Sequence, residues 1–225
     1  MGDDPRPIPV WSTHRLSLDQ PAGWCRVALV ANQPTFRPAT IADACALAVL
    51  VDIAGEGIPN NFWRQLAGPG RSALEVGRDR ARRSEGGFSY RHATVVEVGE
   101  EIAACLVVYQ LDDPYDLTGL EQLPAHVQPL LRLEAQAPGS WYVNVLATFP
   151  EFRGQGIGTR LLDLAEQKGR AAGANTMSII VGSWNEGATR LYRRAGYKPI
   201  ASEPAILPPD FPQSGDWLLL LRSLA

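Results

Sequence analysis

A glycine-rich turn constrains the fold more than any other feature of this 225-residue chain. The turn, residues 153–159, reads Arg-Gly-Gln-Gly-Ile-Gly-Thr, and it follows the apolar run Trp141–Thr148, which predicts a strand. After the turn, apolar residues recur at helical spacing to about Ala172. Glycines let a ligand approach the backbone, and the first amides of a helix have no intrahelical partners. The turn is therefore predicted to bind an anion, most naturally a phosphate or pyrophosphate.

Two other phosphate-binding motifs fail at specific residues. A P-loop ends in Gly-Lys-Ser/Thr, whereas Gly158 is followed by Thr159 and Arg160. A dinucleotide fingerprint needs a third glycine where this chain has Thr159, and an acid near the end of the next strand, where it has Val-Gly-Ser at 181–183. The pattern that remains is Arg-x-x-Gly-x-Gly after a strand.

The rest of the pattern predicts a mixed α/β sheet in one domain, residues 34–225. Apolar periodicity predicts a helix over 41–53, and a polar helix follows a Ser-x-x-Glu capping box at 72–75. Two β-rich runs around residues 99–101 predict a hairpin. The other predicted elements are strand 141–148, helix to about 172, strand 176–181, helix 186–195, and strands near 197–201 and 216–221.

Two stretches depart from this regular pattern. Residues 1–33 are rich in proline and show no clear period, which predicts an N-terminal extension with at most a short strand over 25–30. Residues 111–138 form a proline-rich, acidic insert in which five acids are opposed by one arginine. We expect a solvated loop there unless its charge serves a ligand.

Charge and composition exclude some classes of partner and indicate a cellular compartment. Acids outnumber bases 24 to 21, so the chain lacks the basic field that duplex nucleic acid requires. The apolar run 44–51 is far too short to span a bilayer, and no basic, apolar signal segment opens the chain. Three cysteines without a CxxC pair favour a reduced, cytoplasmic protein. Cys45 and Cys105 are predicted to be buried, and the three histidines lack ligand spacing, so we expect no metal.

Two ordered blocks of the chain resemble the GNAT superfamily of acetyl-CoA-dependent N-acetyltransferases. The first runs from Leu146 through the glycine turn to Leu162, and the second comprises Asn185-Glu186-Gly187-Ala188, Leu191-Tyr192 and Gly196-Tyr197. The second block is similar to the family's second CoA-side helix. The resemblance covers about 34–222 and implies a GNAT-like acyl-CoA N-acyltransferase fold.

The resemblance implies a binding site for acetyl-CoA, the acyl donor. Amides of 153–159 would hold its pyrophosphate, the backbone of 146–148 would pair with pantetheine like an added strand, and an amide near Val145 or Leu146 would polarise the thioester carbonyl. An ordinary strand-to-helix turn is the alternative. The implied cofactor-binding residues are Val145, Leu146, Ala147, Thr148, Arg153, Gly154, Gln155, Gly156, Ile157, Gly158, Thr159, Asn185 and Tyr192.

The resemblance also implies catalytic roles. Tyr192 would protonate the departing thiolate, with a core aromatic residue as the alternative, and Asn185 would cap a helix, touch CoA or do both. An ammonium of pKa about 10.4 is neutral in only about one molecule in 2,500 at pH 7, so the amine needs a base. Glu97, Glu56 and Glu134 are the candidates, and each is alternatively a solvated or capping carboxylate.

The expected function is direct transfer of acetyl from acetyl-CoA to a primary amine of a small molecule or peptide. No Cys or Ser stands in a recognisable nucleophile setting, which favours a ternary complex over an acyl-enzyme. A non-catalytic acyl-CoA-binding module is the alternative, and a homodimer is among the oligomeric states left open. We further hypothesise that the acidic insert, through Asp112, Asp113 and Asp116, lies over the acceptor side and favours a cationic amine.

Overall fold

Seven strands form one mixed sheet in the computed structural model, which describes residues 33–224. Their order across the sheet is β1-β2-β3-β4-β5-β7-β6, and all neighbours are antiparallel except β4 and β5, which are parallel. The strands are β1 (Thr35–Pro38), β2 (Ala93–Val98), β3 (Glu101–Gln110), β4 (Trp141–Thr148), β5 (Thr176–Gly182), β6 (Lys198–Pro204) and β7 (Asp216–Ser223).

Helices cover both faces of this sheet. They are α1 (Ala44–Ala54), α2 (Ile58–Leu66), α3 (Ala73–Ala81), α4 (Gln128–Glu134), α5 (Ile157–Ala171) and α6 (Glu186–Arg194). Side chains alternate between the faces, so Val96 is buried with α5 and α6 on one face, called the α5 face, while its neighbour Val95 is buried with α1, α2 and α3 on the other, called the α1 face. The helix α4 covers the α1 face near β6 and β7.

The strand β4 switches faces at a β-bulge. Val143 packs on the α5 face and Val145 on the α1 face, although a strict two-residue period would keep both on one face. The register with β3 shifts at this point: Val108 is opposite Val143, and Val107 is opposite Val145. Asn144 is therefore the extra, bulged residue, and the bulge reorients the second half of β4.

Beyond the bulge, β4 and β5 diverge. Their parallel pairing in the described chain covers only three residue pairs, from Trp141 with Met177 to Val143 with Ile179. On its other side, β4 stays paired with β3 as far as Thr148. The β5-facing backbone of residues 144–148 is thus left without a strand partner, and a slot opens between the two strands.

The predicted mixed α/β sheet is confirmed, and most predicted elements lie within a few residues of the observed ones. The sequence did not predict β1, α2 or α4, because each is short and lies next to prolines that interrupt the periodicity. Cys105 is buried as predicted, but the prediction for Cys45 is wrong, since α1 turns Cys45 to the exposed side. The predicted extension, apart from Gln33, and its short strand at 25–30 lie outside the described residues.

The acidic insert 111–138 contains α4, which packs against β6 and β7, the last two strands in the sheet order. Arg132 on α4 forms an ion pair with Glu203 on β6, with 2.9 Å between Nε and Oε2. Asp112 and Asp113 lie next to Thr176, where β5 begins, whereas β4 and β5 diverge at their opposite ends. The insert therefore does not bring these two aspartates to the slot.

Within residues 33–224, every helix is too short or too polar to cross a bilayer. The same residues bring together no group of three His, Cys, Asp or Glu side chains of the kind that holds a metal ion.

Candidate active site

The slot between β4 and β5 contains a cavity of about 830 Å³, which lies in the size range of small-molecule and cofactor sites. On the α5 face it is lined by the glycine turn and by Leu191 and Tyr192 of α6. On the α1 face it is lined by the α1–α2 turn and by Ile180 and Trp217. The cavity thus passes through the sheet and can bring together two ligands that enter from opposite faces.

The glycine turn forms a bare cradle at the start of α5. Gly154 and Gly156 both have φ of 76°, a left-handed conformation that favours glycine, and Gly156 is the N-cap of the helix. No protein atom lies within 4 Å of where a Cβ on either residue would stand. The amides of Ile157, Gly158 and Thr159 lie in the first helical turn and have no intrahelical acceptor. This geometry fits an anion.

Two arginines add positive charge to this part of the cavity. Arg153 precedes the cradle and its Nε donates to the carbonyl oxygen of Thr148 at 3.2 Å. Arg194 lies in the last turn of α6 and also lines the cavity. Cationic side chains beside open amides are suited to a phosphorylated ligand. The cradle, the arginines and the unpaired edge of β4 therefore fit the phosphates and the amide-bearing arm of CoA.

Tyr192 lies on the wall of the cavity with its ring buried in the α5-face cluster. Burial raises the pKa of Tyr192 well above its usual value, so its hydroxyl stays protonated at neutral pH. Among the described residues its hydroxyl has no hydrogen-bond partner, which leaves the proton available to a ligand. A neighbouring tyrosine, Tyr197, differs in this respect because its hydroxyl contacts the sulfur of Met177.

Asn185 has the predicted capping role. Its Oδ1 accepts from the amide of Ala188 at 3.0 Å, and its Nδ2 donates to the carboxylate of Glu56. Glu56 also accepts from Nε1 of Trp184 at 2.8 Å. The α1–α2 turn is thereby joined to the N-terminus of α6 across the cavity, and the Glu56 carboxylate is fixed at the α1-face mouth.

The backbone of Glu56 is strained. Its φ is 53°, in the left-handed region that non-glycine residues seldom occupy. Strain of this kind persists where surrounding contacts hold it, and it is concentrated at functional sites. The two hydrogen bonds to the Glu56 carboxylate are such contacts.

The structure does not bring the other two candidate bases to the cavity. Glu97 accepts from Nε of Arg37 at 2.8 Å, and the same guanidinium pairs with Asp43. Glu134 accepts from the hydroxyls of Tyr115 and Tyr142, and burial raises the pKa of its carboxyl. Both carboxylates serve as partners within the fold.

Of the thirteen residues expected to bind the cofactor, eleven line the cavity. The two others do not: Val145 packs on the α1 face, and Gln155 is exposed on the turn. Sequence reasoning missed Trp184, Trp217 and Arg194. The aromatic residue directly before a helix N-cap was a usable signal for Trp184, whereas Trp217 reaches the cavity only because β7 inserts beside β5.

A family model for acetyltransferases of the GNAT family matches residues 61–197 of the chain. A search of curated protein sequences finds no match.

Several solved structures share the fold at low sequence identity. An N-acetyltransferase from Staphylococcus aureus Mu50 is 19% identical with a TM-score of 0.59, covering 84% of this chain and 100% of its own. The Drosophila melanogaster polyamine N-acetyltransferase that forms N-acetylagmatine is 16% identical with a TM-score of 0.61, covering 84% and 99%. The Aedes aegypti arylalkylamine N-acetyltransferase 2 is 12% identical with a TM-score of 0.61, covering 86% and 100%.

Proposed function

The chain belongs to the acetyltransferase (GNAT) family and is an acyltransferase, and we propose that it transfers acetyl from acetyl-CoA directly to a primary amine. The resemblance in its two sequence blocks is thereby confirmed at the level of the family. The observation that carries the proposal is the slot through the sheet, which has an anion cradle on one face and a fixed carboxylate on the other.

The α5 side of the slot is where the donor binds in this proposal. The amides of 157–159 hold the pyrophosphate, with Arg153 and Arg194 supplying charge beside it. The free edge of β4 pairs with the pantetheine arm, because its backbone groups have no strand partner after Val143. Bound in this way, acetyl-CoA supplies a thioester whose carbonyl carbon accepts the amine nitrogen.

A backbone amide at the bulge polarises the thioester carbonyl. The extra residue Asn144 separates the paired part of β4 from its free edge, so amides of the following residues, Val145 or Leu146, are available at the point of divergence. A donor aimed at a developing oxyanion is worth about 3 to 4 kcal/mol in acyl transfer. This contact uses the backbone and is insensitive to the side chain.

Glu56 acts as the base that neutralises the ammonium, directly or through one water. Its carboxylate lies at the α1-face mouth, where an acceptor approaches the slot without meeting the donor. Each carboxylate oxygen already accepts one hydrogen bond, from Trp184 or Asn185, and each keeps a lone pair for an amine or water. Of the three candidate bases, only Glu56 lines the cavity in the described chain.

Tyr192 donates its proton to the departing sulfur. Glu56 first takes one proton from the ammonium and releases it to solvent at the mouth. The amine nitrogen then bonds to the acetyl carbon, the carbon–sulfur bond breaks, a second amine proton goes to Glu56 and the Tyr192 proton goes to the thiolate. Proton return from Glu56 to Tyr192 through water restores both groups. Burial raises the pKa of Tyr192, and it likewise disfavours a charged thiolate. Burial therefore disfavours the charged form on both sides of this proton transfer. The products are the N-acetyl amine and the CoA thiol.

A cytoplasmic location is part of this proposal. Cys45 is exposed and has a free thiol, which a reducing compartment preserves.

The test is acetyl-CoA-dependent thiol release over a panel of primary amines, with mass spectrometry of the amine. We expect thiol release that requires the amine and equals the amount of acetylated product. Binding of acetyl-CoA without amine-dependent thiol release would instead identify a non-catalytic acyl-CoA-binding module. Glu97→Gln is the matched carboxylate control, because Glu97 lies outside the slot and its loss should leave kcat/KM unchanged.

A further inference from the structure

The α1-face mouth of the slot has a composition that selects among amines, and the inference drawn from it rests on the proposed acetyl transfer. We propose that the acceptor is a primary amine with a single positive charge and an apolar, preferably aromatic, body. We call the region that receives it the acceptor mouth, defined by Ile53, Glu56, Ile58, Ile180, Trp184 and Trp217.

One negative charge is available to an acceptor. Among the described residues that line the cavity, the charged side chains are Glu56, Arg153 and Arg194. Arg153 adjoins the anion cradle, and Arg194 lies nine residues after Asn185, about 13 Å along α6 from the residue that contacts Glu56. The acceptor mouth therefore has one carboxylate and no cation.

This charge arrangement excludes two classes of amine. A diamine would bring a second ammonium against the isoleucines of the mouth, where no second carboxylate compensates its loss of hydration. An amino acid would bring its own carboxylate close to Glu56, and like charges repel in a site of reduced dielectric. Asp112 and Asp113 of the acidic insert do not supply a second carboxylate, because they lie at the other end of β5.

The body of the acceptor meets an aromatic wall. The rings of Trp184 and Trp217 are 5.0 Å apart between centroids and inclined at 61°, and Phe211 lies against Trp184 at 5.8 Å. Ile58 and Ile180 complete an apolar surface on the neighbouring elements. Such a surface favours an aromatic or branched apolar body, since aromatic rings pack well edge to face.

Trp184 packs directly on the backbone of β5. A side chain at Gly182 would put its Cβ 2.4 Å from Cε2 of Trp184, so the indole fits only because this position is glycine. Its Nε1 donates to Glu56, so the wall and the charge partner are fixed relative to each other. A preorganised wall of this kind costs little entropy when a ligand binds.

Four amines test the two exclusions in matched pairs. Phenethylamine and phenylalanine differ by a carboxylate, and butylamine and 1,4-diaminobutane differ by a second ammonium. We expect kcat/KM to fall at least tenfold within each pair and to be higher for phenethylamine than for butylamine. Equal or higher kcat/KM for the diamine or the amino acid, with acetyl transfer intact, would overturn the acceptor class and leave the proposed function standing.

A tryptophan variant tests the wall. Trp217→Leu should lower kcat/KM for phenethylamine about tenfold, and butylamine much less, because only the aromatic body uses the ring. Trp141→Phe is the matched control, since Trp141 packs beside Gly169 and does not line the cavity. Trp217→Phe serves if the leucine variant does not fold, with a smaller loss in the same direction. An equal loss for both amines would assign Trp217 a structural role and overturn the wall.

A binding measurement separates this inference from the chemistry. Calorimetric titration of the four amines into protein saturated with CoA reports the selectivity without acetyl transfer. If no amine is acetylated, the proposed function fails, and tighter binding of phenethylamine than of the other three still supports the acceptor class. The absence of that preference would overturn it.

Discussion

The carboxylate of Glu56 accepts a hydrogen bond from Nδ2 of Asn185, which lies 129 residues further along the chain. The contact joins the α1–α2 turn on one face of the sheet to the N-terminus of α6, which carries Tyr192 on the other. One side chain thus orients the proposed base and caps the helix of the proposed acid. A substitution at Asn185 is therefore expected to affect both the helix cap and the position of Glu56.

Asn185→Ala should lower the free energy of unfolding by about 1 kcal/mol, because the Ala188 amide loses its capping acceptor. It should also lower kcat, since Glu56 keeps only its bond from Trp184. Asn185→Asp separates the two effects, because aspartate still caps but places a negative charge against Glu56. Thermal unfolding and steady-state kinetics on both variants measure them, and a full kcat in Asn185→Ala would show that Glu56 needs no positioning from this residue.

Tyr192→Phe should retain acetyl-CoA affinity and lower kcat, because only the hydroxyl is lost and the ring still fills the buried cluster. Tyr197→Phe is the matched control. The ring of Tyr197 lies 6.1 Å from the ring of Tyr192 between centroids. The variant removes the Tyr197 hydroxyl, whose hydrogen bond goes to the sulfur of Met177. Calorimetric binding of acetyl-CoA and single-turnover rates distinguish the two variants. Unchanged turnover in Tyr192→Phe would remove the residue from the mechanism.

Gly156→Ala should weaken acetyl-CoA binding at least tenfold. The new methyl group would stand in the open space of the cradle, and φ of 76° is unfavourable for alanine. Gly173→Ala is a close control, because Gly173 has the same φ and the same open surroundings but lies after α5, away from the cavity. Both variants should lose similar stability, about 1 to 2 kcal/mol, because alanine is strained at this φ. A similar loss of affinity in both would mean that backbone strain, and not the cradle, accounts for it.

Stability should fall in acid between about pH 4 and pH 2 because of Asp43. Its hydrogen bonds from Arg37 lower the pKa of this carboxyl from 3.8 to about 2. Because the folded-state pKa is the lower one, the contribution is complete above pH 4 and disappears as the pH falls to 2. It amounts to about 2 kcal/mol.

Asp43→Asn should remove this contribution at neutral pH and flatten the acid limb of the unfolding curve. Denaturant titrations between pH 2 and pH 7 measure both effects. Asp163→Asn, on the exposed side of α5, is the control. A parallel acid limb in the wild type and Asp43→Asn would assign the acid sensitivity to other carboxylates.

The glycine turn could be predicted from sequence because its properties are local. Left-handed φ at Gly154 and Gly156 and free amides in the first turn of a helix depend on residues within a few positions of each other. The N-cap at Asn185 follows from the same kind of short-range pattern. Helices and strands with a clear apolar period were predicted within a few residues for the same reason.

The choice among the three glutamates could not be made from sequence. Glu56 follows α1 and Glu97 lies near the end of β2, and no local pattern tells which one faces the cavity. Glu97 pairs with Arg37, which β1 places opposite β2 in an antiparallel ladder that the sequence had not predicted. The acidic insert is a second example. Its negative charge is visible in the sequence, but the sequence does not show that Asp112 and Asp113 lie beside Thr176, at the start of β5.

Short-range sequence therefore decides the cradle, the helix caps and the alternation of the strands, since backbone conformation depends mainly on nearby residues. Only the tertiary structure decides that β4 bulges at Asn144, that β5 diverges from it, and that Glu56 meets Trp184 and Asn185 across the gap. These relationships come from strand order and from packing between residues far apart in the chain. They form only when the whole sheet is assembled, because each depends on contacts between distant segments of the chain.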